Sequence, residues 1–242
     1  MAYDMLSFDL GSHSFKVSAT SPDTQRLFDQ GLNWCFGFNQ EEALACFKKA
    51  LEDDPCCAML HWGVAYAAGP FYNMPWGDFS HAEAVACTSF CRGHIDESLS
   101  LSESATPLEK ALINALSQRV QKAYVVSELE FGSWDDAYAT AMRQVNVDFP
   151  DNQDVMALFV EAMMTRTPWN MWDVKTCLPP KGADTYEAIW VCENAIELAD
   201  QHDKEQHPAI LHFHIHLMEM STEPEHAMTS ANRLVGLCPD AG

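Results

Sequence analysis

Six residues between positions 23 and 55 lie at the spacings expected of two antiparallel helices. They are Gly31, Trp34, Ala43, Phe47, Ala50 and Pro55. Small residues at Gly31 and Ala43 allow two helices to approach closely, and Trp34 and Phe47 are large enough to fill the seam between them. Pro55 ends the second helix because proline cannot continue the hydrogen-bond ladder. This stretch predicts a helical hairpin of the kind that stacks into a solenoid.

The rest of the chain repeats parts of this pattern. Glycine and proline divide it into about ten helical segments, and no run of alternating β-branched residues is long enough for a convincing sheet strand. Ala227 and Pro239 stand twelve residues apart, as Ala43 and Pro55 do. The sequence therefore predicts an all-α, right-handed helical solenoid of about ten helices.

We divide the chain into four parts. Residues 1–21 form an N-terminal extension, 22–166 a first group of helical repeats, 167–183 an irregular connection rich in aromatic residues and proline, and 184–242 the C-terminal helices. Each helix pair of a solenoid leaves an apolar face for its neighbour, and no polar closing helix follows the last pair. We therefore expect an external or missing cap, either a second copy in a homodimer or further repeats.

The net charge of the chain makes some classes of binding partner unfavourable. Thirty-five acidic and fourteen basic residues give a formal net charge of -21. Such a field repels the phosphates of nucleic acids and anionic lipid head groups, so neither nucleic acid nor a membrane surface is an expected partner. A basic protein segment, a cation or a metal ion suits the field better, although an acidic surface often serves solubility alone.

Other features of the sequence indicate a cytoplasmic protein. The first ten residues alternate acidic and apolar types and lack the pattern of a signal peptide, and no apolar run is long enough to cross a bilayer. Several of the nine cysteines lie within helical patterns, as buried thiols do in a reducing compartment. Cys87 and Cys91 have one-turn spacing without a second cysteine pair, so structural zinc at the cysteines is not expected.

The strongest candidate for chemistry is a histidine-rich helix. His212, His216 and Glu219 fall on one stripe of a helix surface, because residues at these spacings lie within about 60° of one another. Two imidazoles one turn apart can bind one ion, and a carboxylate one turn later could complete the site. Zinc, copper and iron are all compatible with this set. The alternative is that these are packed side chains hydrogen-bonded to neighbouring helices.

Aromatic residues in two irregular segments form a second candidate, a binding surface. Its members are Trp62, Tyr66, Tyr72, Asn73, Trp76, Trp169 and Trp172. The loop at residues 69–78 is too apolar for a simple linker, so its aromatic residues either pack on the flank of the solenoid or rim a binding site. Trp62 and Tyr66, one helical turn apart, are more typical of core packing.

No motif assigns a reaction to this chain. The sequence lacks a dinucleotide-binding glycine motif, a phosphate-binding loop and a hydrolase nucleophile elbow. A cysteine and a histidine could still meet in space, but no local context selects one of the nine cysteines. The sequence therefore identifies no catalytic residue, and whether the chain is an enzyme stays open, with a non-enzymatic role favoured.

Several segments together resemble a group of tetratricopeptide-repeat proteins. They are Phe28-Asp-Gln-Gly31-Leu, Phe38-Asn-Gln-Glu-Glu-Ala-Leu, Asp54-Pro-Cys-Cys-Ala-Met, Trp62-Gly63, Gly69-Pro70, Pro168-Trp-Asn-Met-Trp172, the helix from 212 to 219 and Pro239-Asp-Ala-Gly242. The resemblance implies a tetratricopeptide-like solenoid and protein binding along a concave groove. Family members often have histidine where Gln40 stands, and they continue beyond the position of Gly242 into a segment with the motif His-Met-Pro-x-His.

These observations leave three hypotheses. The first is a non-enzymatic interaction scaffold whose acidic groove favours a basic or mixed-charge peptide. The second is a transition-metal protein, which could be a metalloenzyme, that uses His212, His216 and Glu219. The third is that the chain has no separate activity and forms part of a longer solenoid.

Overall fold

A computed structural model describes residues 7–124, 127 and 129–241 of the chain. Ten α-helices occur in these residues: α1 (Pro22–Phe36), α2 (Gln40–Asp53), α3 (Ala58–Ala68), α4 (His81–Leu101), α5 (Pro107–Arg119), α6 (Leu129–Asp148), α7 (Gln153–Arg166), α8 (Thr185–Gln201), α9 (Pro208–Met218) and α10 (Met228–Leu234). Short 3-10 turns accompany them, and no β-strand occurs in this part of the chain. The predicted all-α class with about ten helices is confirmed.

The helix boundaries follow from local capping chemistry. Ser21 precedes α1 and accepts a hydrogen bond from the backbone N–H of Thr24, with Pro22 at the first helical position. Helix α4 begins with a capping box, in which Ser80 and Glu83 satisfy each other's backbone N–H groups. Short polar side chains at these starts replace the hydrogen bonds that the first turn of a helix lacks.

Consecutive helices pack against one another along the chain, as in a solenoid. At the first hairpin the Phe47 side chain lies between α1 and α3. A Cβ atom at Gly31 would stand 2.8 Å from the Phe47 ring, and one at Gly63 would stand 2.6 Å from it. Both glycines are therefore required by packing, since real Cβ atoms do not approach another atom so closely. This arrangement explains the close helix approach that the sequence indicates.

The series of helices turns back to its beginning, because α9 contacts both α7 and α1. The segment after α10 lies against the segment before α1. The Asp9 N–H donates to Asp240 Oδ2 at 2.7 Å, and the Asp240 N–H donates to the Asp9 carbonyl at 3.0 Å. Asn39 Nδ2 also donates to the Ala241 carbonyl at 2.9 Å. We expected an external cap at this edge, and the chain's own N-terminal segment covers part of it.

One continuous hydrophobic core runs through both groups of helices, from Leu10 to Leu217. Residues 167–183 connect α7 to α8 without regular structure apart from an isolated bridge between Asp173 and Leu178. No helix in the described residues is long and apolar enough to cross a membrane.

A candidate metal centre on the ninth helix

Helix α9 carries His212 and His216 one turn apart, half-buried against the turn that follows α1. The His212 Nδ1 atom lies 2.7 Å from the Phe36 carbonyl oxygen. A carbonyl can only accept a hydrogen bond, so Nδ1 of His212 carries the hydrogen. The remaining ring nitrogen of neutral His212, Nε2, then presents a lone pair.

The same reasoning determines which ring nitrogen of His216 carries the hydrogen. Its Nδ1 atom lies 2.9 Å from Glu219 Oε1, and an ionised carboxylate is an acceptor, so Nδ1 of His216 donates. The Nε2 atoms of His212 and His216 face each other at 3.0 Å. Two neutral imidazoles held in these tautomers would bring two lone pairs together, and only a positive species between them relieves that conflict. A proton or a metal ion fits this position.

The structure places the three predicted ligands close together but gives them different positions. His212 and His216 converge through Nε2, whereas Glu219 contacts the outer nitrogen of His216. In metal centres, ligating histidines commonly donate the outer N–H to a carboxylate or a backbone carbonyl, which orients the ring. Glu219 and the Phe36 carbonyl occupy those supporting positions.

Aromatic rings enclose the histidine pair. The Phe38 ring lies 4.8 Å from the His212 ring and 5.4 Å from the His216 ring, and the Tyr72 ring lies 5.5 Å from His216. Burial lowers the pKa of His212 to about 4, so this imidazole is neutral near neutral pH. Burial also raises the pKa of Tyr72 to about 12. The pair thus lies in surroundings of low polarity, with a neutral imidazole at His212.

Phe38 reaches this position through an unusual backbone conformation. Its φ is 61°, in the left-handed region that a bulky residue seldom adopts. The Phe38 and Asn39 N–H groups donate to the carbonyls of Cys35 and Trp34, which closes the end of α1. The strain, of order 1–3 kcal/mol for such residues, is maintained by the packing of the Phe38 ring against α9.

A second cluster of metal-binding residue types lies at the start of α9. His13 Nε2 and His207 Nε2 lie 2.9 Å and 3.3 Å from the same atom, Asp154 Oδ1. One ligand-type atom from each residue lies within 4.8 Å of the others. This cluster could not be predicted from the sequence, because His13 and His207 stand 141 and 53 residues from Asp154. No local pattern links them.

The second cluster satisfies itself without an added ion, because Asp154 Oδ1 can accept from both histidine N–H groups. The hydrogen bonds to His13 and His207 hold the pKa of Asp154 well below its usual range, against the opposing effect of burial. Nδ1 of His207 is buried and has no hydrogen-bond partner in the described chain. A metal on Nε2 would turn this nitrogen into a buried donor without the usual supporting acceptor.

A third histidine pair provides a useful reference. His61 Nδ1 and His94 Nδ1 lie 3.0 Å apart, and His61 Nε2 lies 3.1 Å from the Pro55 carbonyl. Among the described residues no group holds the other ring nitrogen of His94, so its Nδ1–H can donate to His61. This pair forms an ordinary hydrogen bond, in which one ring nitrogen donates and the other accepts.

The predicted aromatic binding surface is largely buried and needs correction. Five of its seven members lie in the core: Trp62, Tyr66, Tyr72, Trp76 and Trp172. Burial is possible because backbone carbonyls accept the indole N–H groups of two of them, Leu112 for Trp62 and Leu217 for Trp172. Trp169 and Asn73 remain exposed.

Comparison with known proteins gives a distant structural similarity. A scan against protein families finds no match, and no curated protein matches the chain. Among solved structures, a monomeric mutant of IFIT1 with m7Gppp-AAAA matches with a TM-score of 0.41 and 14% identity. The match covers 90% of this chain and 51% of that one, so the chain spans about half the length of that protein. A similarity this low carries no inference about ligands.

Proposed function

We propose that this protein binds a transition-metal ion between His212 Nε2 and His216 Nε2. The observation that carries the proposal is the pair of facing nitrogens at 3.0 Å, each in a ring whose outer nitrogen donates elsewhere. An ion in this position replaces the repulsion between two lone pairs by two coordinate bonds.

The spacing suits such an ion. Zinc binds imidazole nitrogen at about 2.0–2.1 Å, which in a tetrahedral site separates two ligand atoms by about 3.3 Å. The observed separation needs only a small adjustment of one ring. Zinc, copper and iron all accept imidazole, and the proposed site leaves positions for water or another ligand. Glu219 and the Phe36 carbonyl hold the rings, and Phe38 and Tyr72 limit the access of water.

Elemental analysis of untagged protein tests the proposal. We expect about one metal ion per chain in the parent protein, and its loss in both His212→Ala and His216→Ala. His94→Ala is the matched control, because it removes one ring from the ordinary histidine pair. Equal, substoichiometric metal in the parent and in all three variants would contradict the proposal.

The net charge and the exposed aromatic side chains favour a second function, a helical scaffold that binds a basic or mixed-charge peptide. Tyr186 and Trp190 lie one turn apart on α8 and are 61% and 62% exposed. Large aromatic side chains of this kind are typical anchors of protein interfaces. The net charge of -21 selects a basic partner.

A fluorescent peptide of alternating arginine and alanine is a suitable probe for the scaffold. We expect it to bind more tightly than its glutamate counterpart, and to lose affinity when the ionic strength rises about tenfold. Tyr186→Ala combined with Trp190→Ala should weaken binding further. Affinity that does not change with salt would contradict the electrostatic part of this function.

A further inference from the structure

A cleft of about 430 Å³ lies between the loop at residues 69–78, the first turns of α6 and the end of α7. The residues that matter for its chemistry are Trp76, Phe79, Phe131, Asp135, Arg166 and Pro168. It is separate from the histidine pair, and its lining combines aromatic walls with charged groups. Neither proposed function uses it so far.

Stacked rings make one wall of the cleft rigid. The Trp76 and Phe131 rings are nearly parallel, 6° apart in orientation, with centroids separated by 4.2 Å. Phe79 adds a tilted ring 5.5 Å from Trp76. Because Trp76 and Phe131 are almost fully buried, the wall is formed before any ligand arrives.

Asp135 is the carboxylate of the cleft, and no basic side chain of the described residues forms an ion pair with it. Its Oδ1 atom is buried. The indole N–H of Trp76 is the neighbouring donor, and it favours the ionised form of Asp135. Desolvation raises the pKa of Asp135 to about 7, against the opposing effect of the Arg119 charge.

The basic residues of this region already have acidic partners. Arg166 Nε donates to Asp136 Oδ1 at 2.7 Å, and its Nη1 donates to Asp184. Arg119 donates to Glu161 Oε1 at 2.9 Å inside the core. Both guanidinium groups therefore have a carboxylate partner, whereas the Asp135 carboxylate has no ion-pair partner among the described residues.

We propose that this cleft holds the cationic head of a lysine or arginine side chain from a bound peptide, paired with Asp135. The aliphatic part of that side chain would lie against Phe79, Pro168 and the edge of Trp76. An anionic ligand would face the Asp135 carboxylate, and a neutral apolar one would leave that carboxylate without a counter-ion, so a cation fits best. The inference deepens the scaffold function and rests on it for the peptide.

Small probes test the cleft without the rest of a peptide. N-acetyl-arginine amide and N-acetyl-lysine amide are titrated into ¹⁵N-labelled protein, with N-acetyl-citrulline amide as the neutral analogue of arginine. The Trp76→Phe variant identifies the Trp76 indole signal. We expect that signal to move with both basic probes, with at least about a tenfold weaker response to citrulline.

Two variants complete the test. Asp135→Asn should abolish the response, and Asp148→Asn, which removes the same charge near the other end of α6, should preserve it. An equal response to citrulline, or an unchanged response in Asp135→Asn with its melting profile intact, would overturn the inference.

The peptide distinguishes the two proposals. If the arginine–alanine peptide binds equally well to Asp135→Asn and to the parent, the proposed cleft is wrong and the scaffold function is retained. If the small basic probes bind but the peptide does not, the scaffold fails and the cleft stands.

Discussion

Two histidine clusters lie along helix α9 and use the same residue types with opposite results. At its start, His13 and His207 donate to one oxygen of Asp154, so that two donors meet an acceptor. In its body, His212 and His216 turn two acceptors toward each other, because the Phe36 carbonyl and Glu219 take their N–H groups. In the first cluster the hydrogen bonds to Asp154 use the donor of each histidine. In the second, a cation between the two Nε2 atoms would remove the repulsion between their lone pairs.

The difference shows that residue identity alone does not distinguish the proposed metal site from a structural hydrogen-bond cluster. Three ligand-type side chains lie close together at Asp154, yet the carboxylate lies between the histidines. At His216 the carboxylate lies behind the ring. The position of the acidic group relative to the two imidazoles therefore decides which function each cluster suits.

The largest expected effect is on stability, at Asp154. Asp154→Ala leaves the N–H groups of His13 and His207 without their acceptor, and His207 is only 3% exposed. We expect the free energy of unfolding to fall by about 3 kcal/mol in urea denaturation, with metal content unchanged. Asp151→Ala, at an exposed position just before α7, should change stability by less than about 0.5 kcal/mol. Loss of metal in Asp154→Ala would reverse the roles of the two clusters.

The next effect is stabilisation by metal at the His212–His216 pair. Zinc at about 100 times its dissociation constant should raise the free energy of unfolding by about 2.7 kcal/mol. The increase should vanish in His216→Ala and persist in His94→Ala, as measured by denaturation with and without zinc. An undiminished increase in His216→Ala would place the bound ion elsewhere.

A smaller effect is expected from the supporting carboxylate. Glu219→Gln keeps the size of the side chain but removes the charge that orients His216. Loss of such a supporting group commonly weakens metal binding at least tenfold, or about 1.4 kcal/mol, and competition with a chelator measures it. Stability without metal should be nearly unaffected, because Glu219 is exposed. If zinc is lost completely, Glu219 is a direct ligand, as the sequence first indicated.

The smallest effect is on the pH dependence of stability. It distinguishes the contribution of His207 from that of Asp154. Burial lowers the pKa of His207, so below about pH 6.5 the unfolded chain binds a proton that the folded chain does not. The free energy of unfolding should therefore fall as the pH drops from 6.5 toward 5. The lowered pKa of Asp154 maintains that residue's contribution until the pH falls below about 4.

His207→Leu tests this pH assignment. Urea denaturation at two pH values, near 7 and near 5.5, should show a difference in stability about 1 kcal/mol smaller than in the parent protein. The same substitution at exposed His81 should leave that difference unchanged. A larger pH dependence in His207→Leu would show that His207 stabilises the folded chain as a cation.

The fold could be predicted where it depends on residues that are close together in the sequence. The first hairpin, α1 and α2, follows from residue spacing within 33 positions, and its observed bounds agree closely with the pattern. The proximity of His212 and His216 was equally accessible, since a helix places residues four apart on one face. The tautomers could not be predicted, because the Phe36 carbonyl that determines the tautomer of His212 lies 176 residues away in the sequence.

The positions of the aromatic residues could not be predicted from the sequence. A loop rich in tryptophan and tyrosine reads equally well as an exposed surface or as packing. Distant backbone carbonyls accept the indole N–H groups of Trp62 and Trp172, which makes burial of those rings favourable. The His13–Asp154–His207 cluster shares this dependence on distant contacts, since it assembles from three separate parts of the chain.

The hydrogen bond between Asp9 and Asp240 spans 231 residues, which has a consequence for synthesis on the ribosome. Translation at about 5–20 residues per second would separate the appearance of the two partners by roughly 10–50 s. The early helical hairpins can form from neighbouring residues during that time. The segment around Asp9 must wait for its partner, and while it waits it is open to chaperones and proteases.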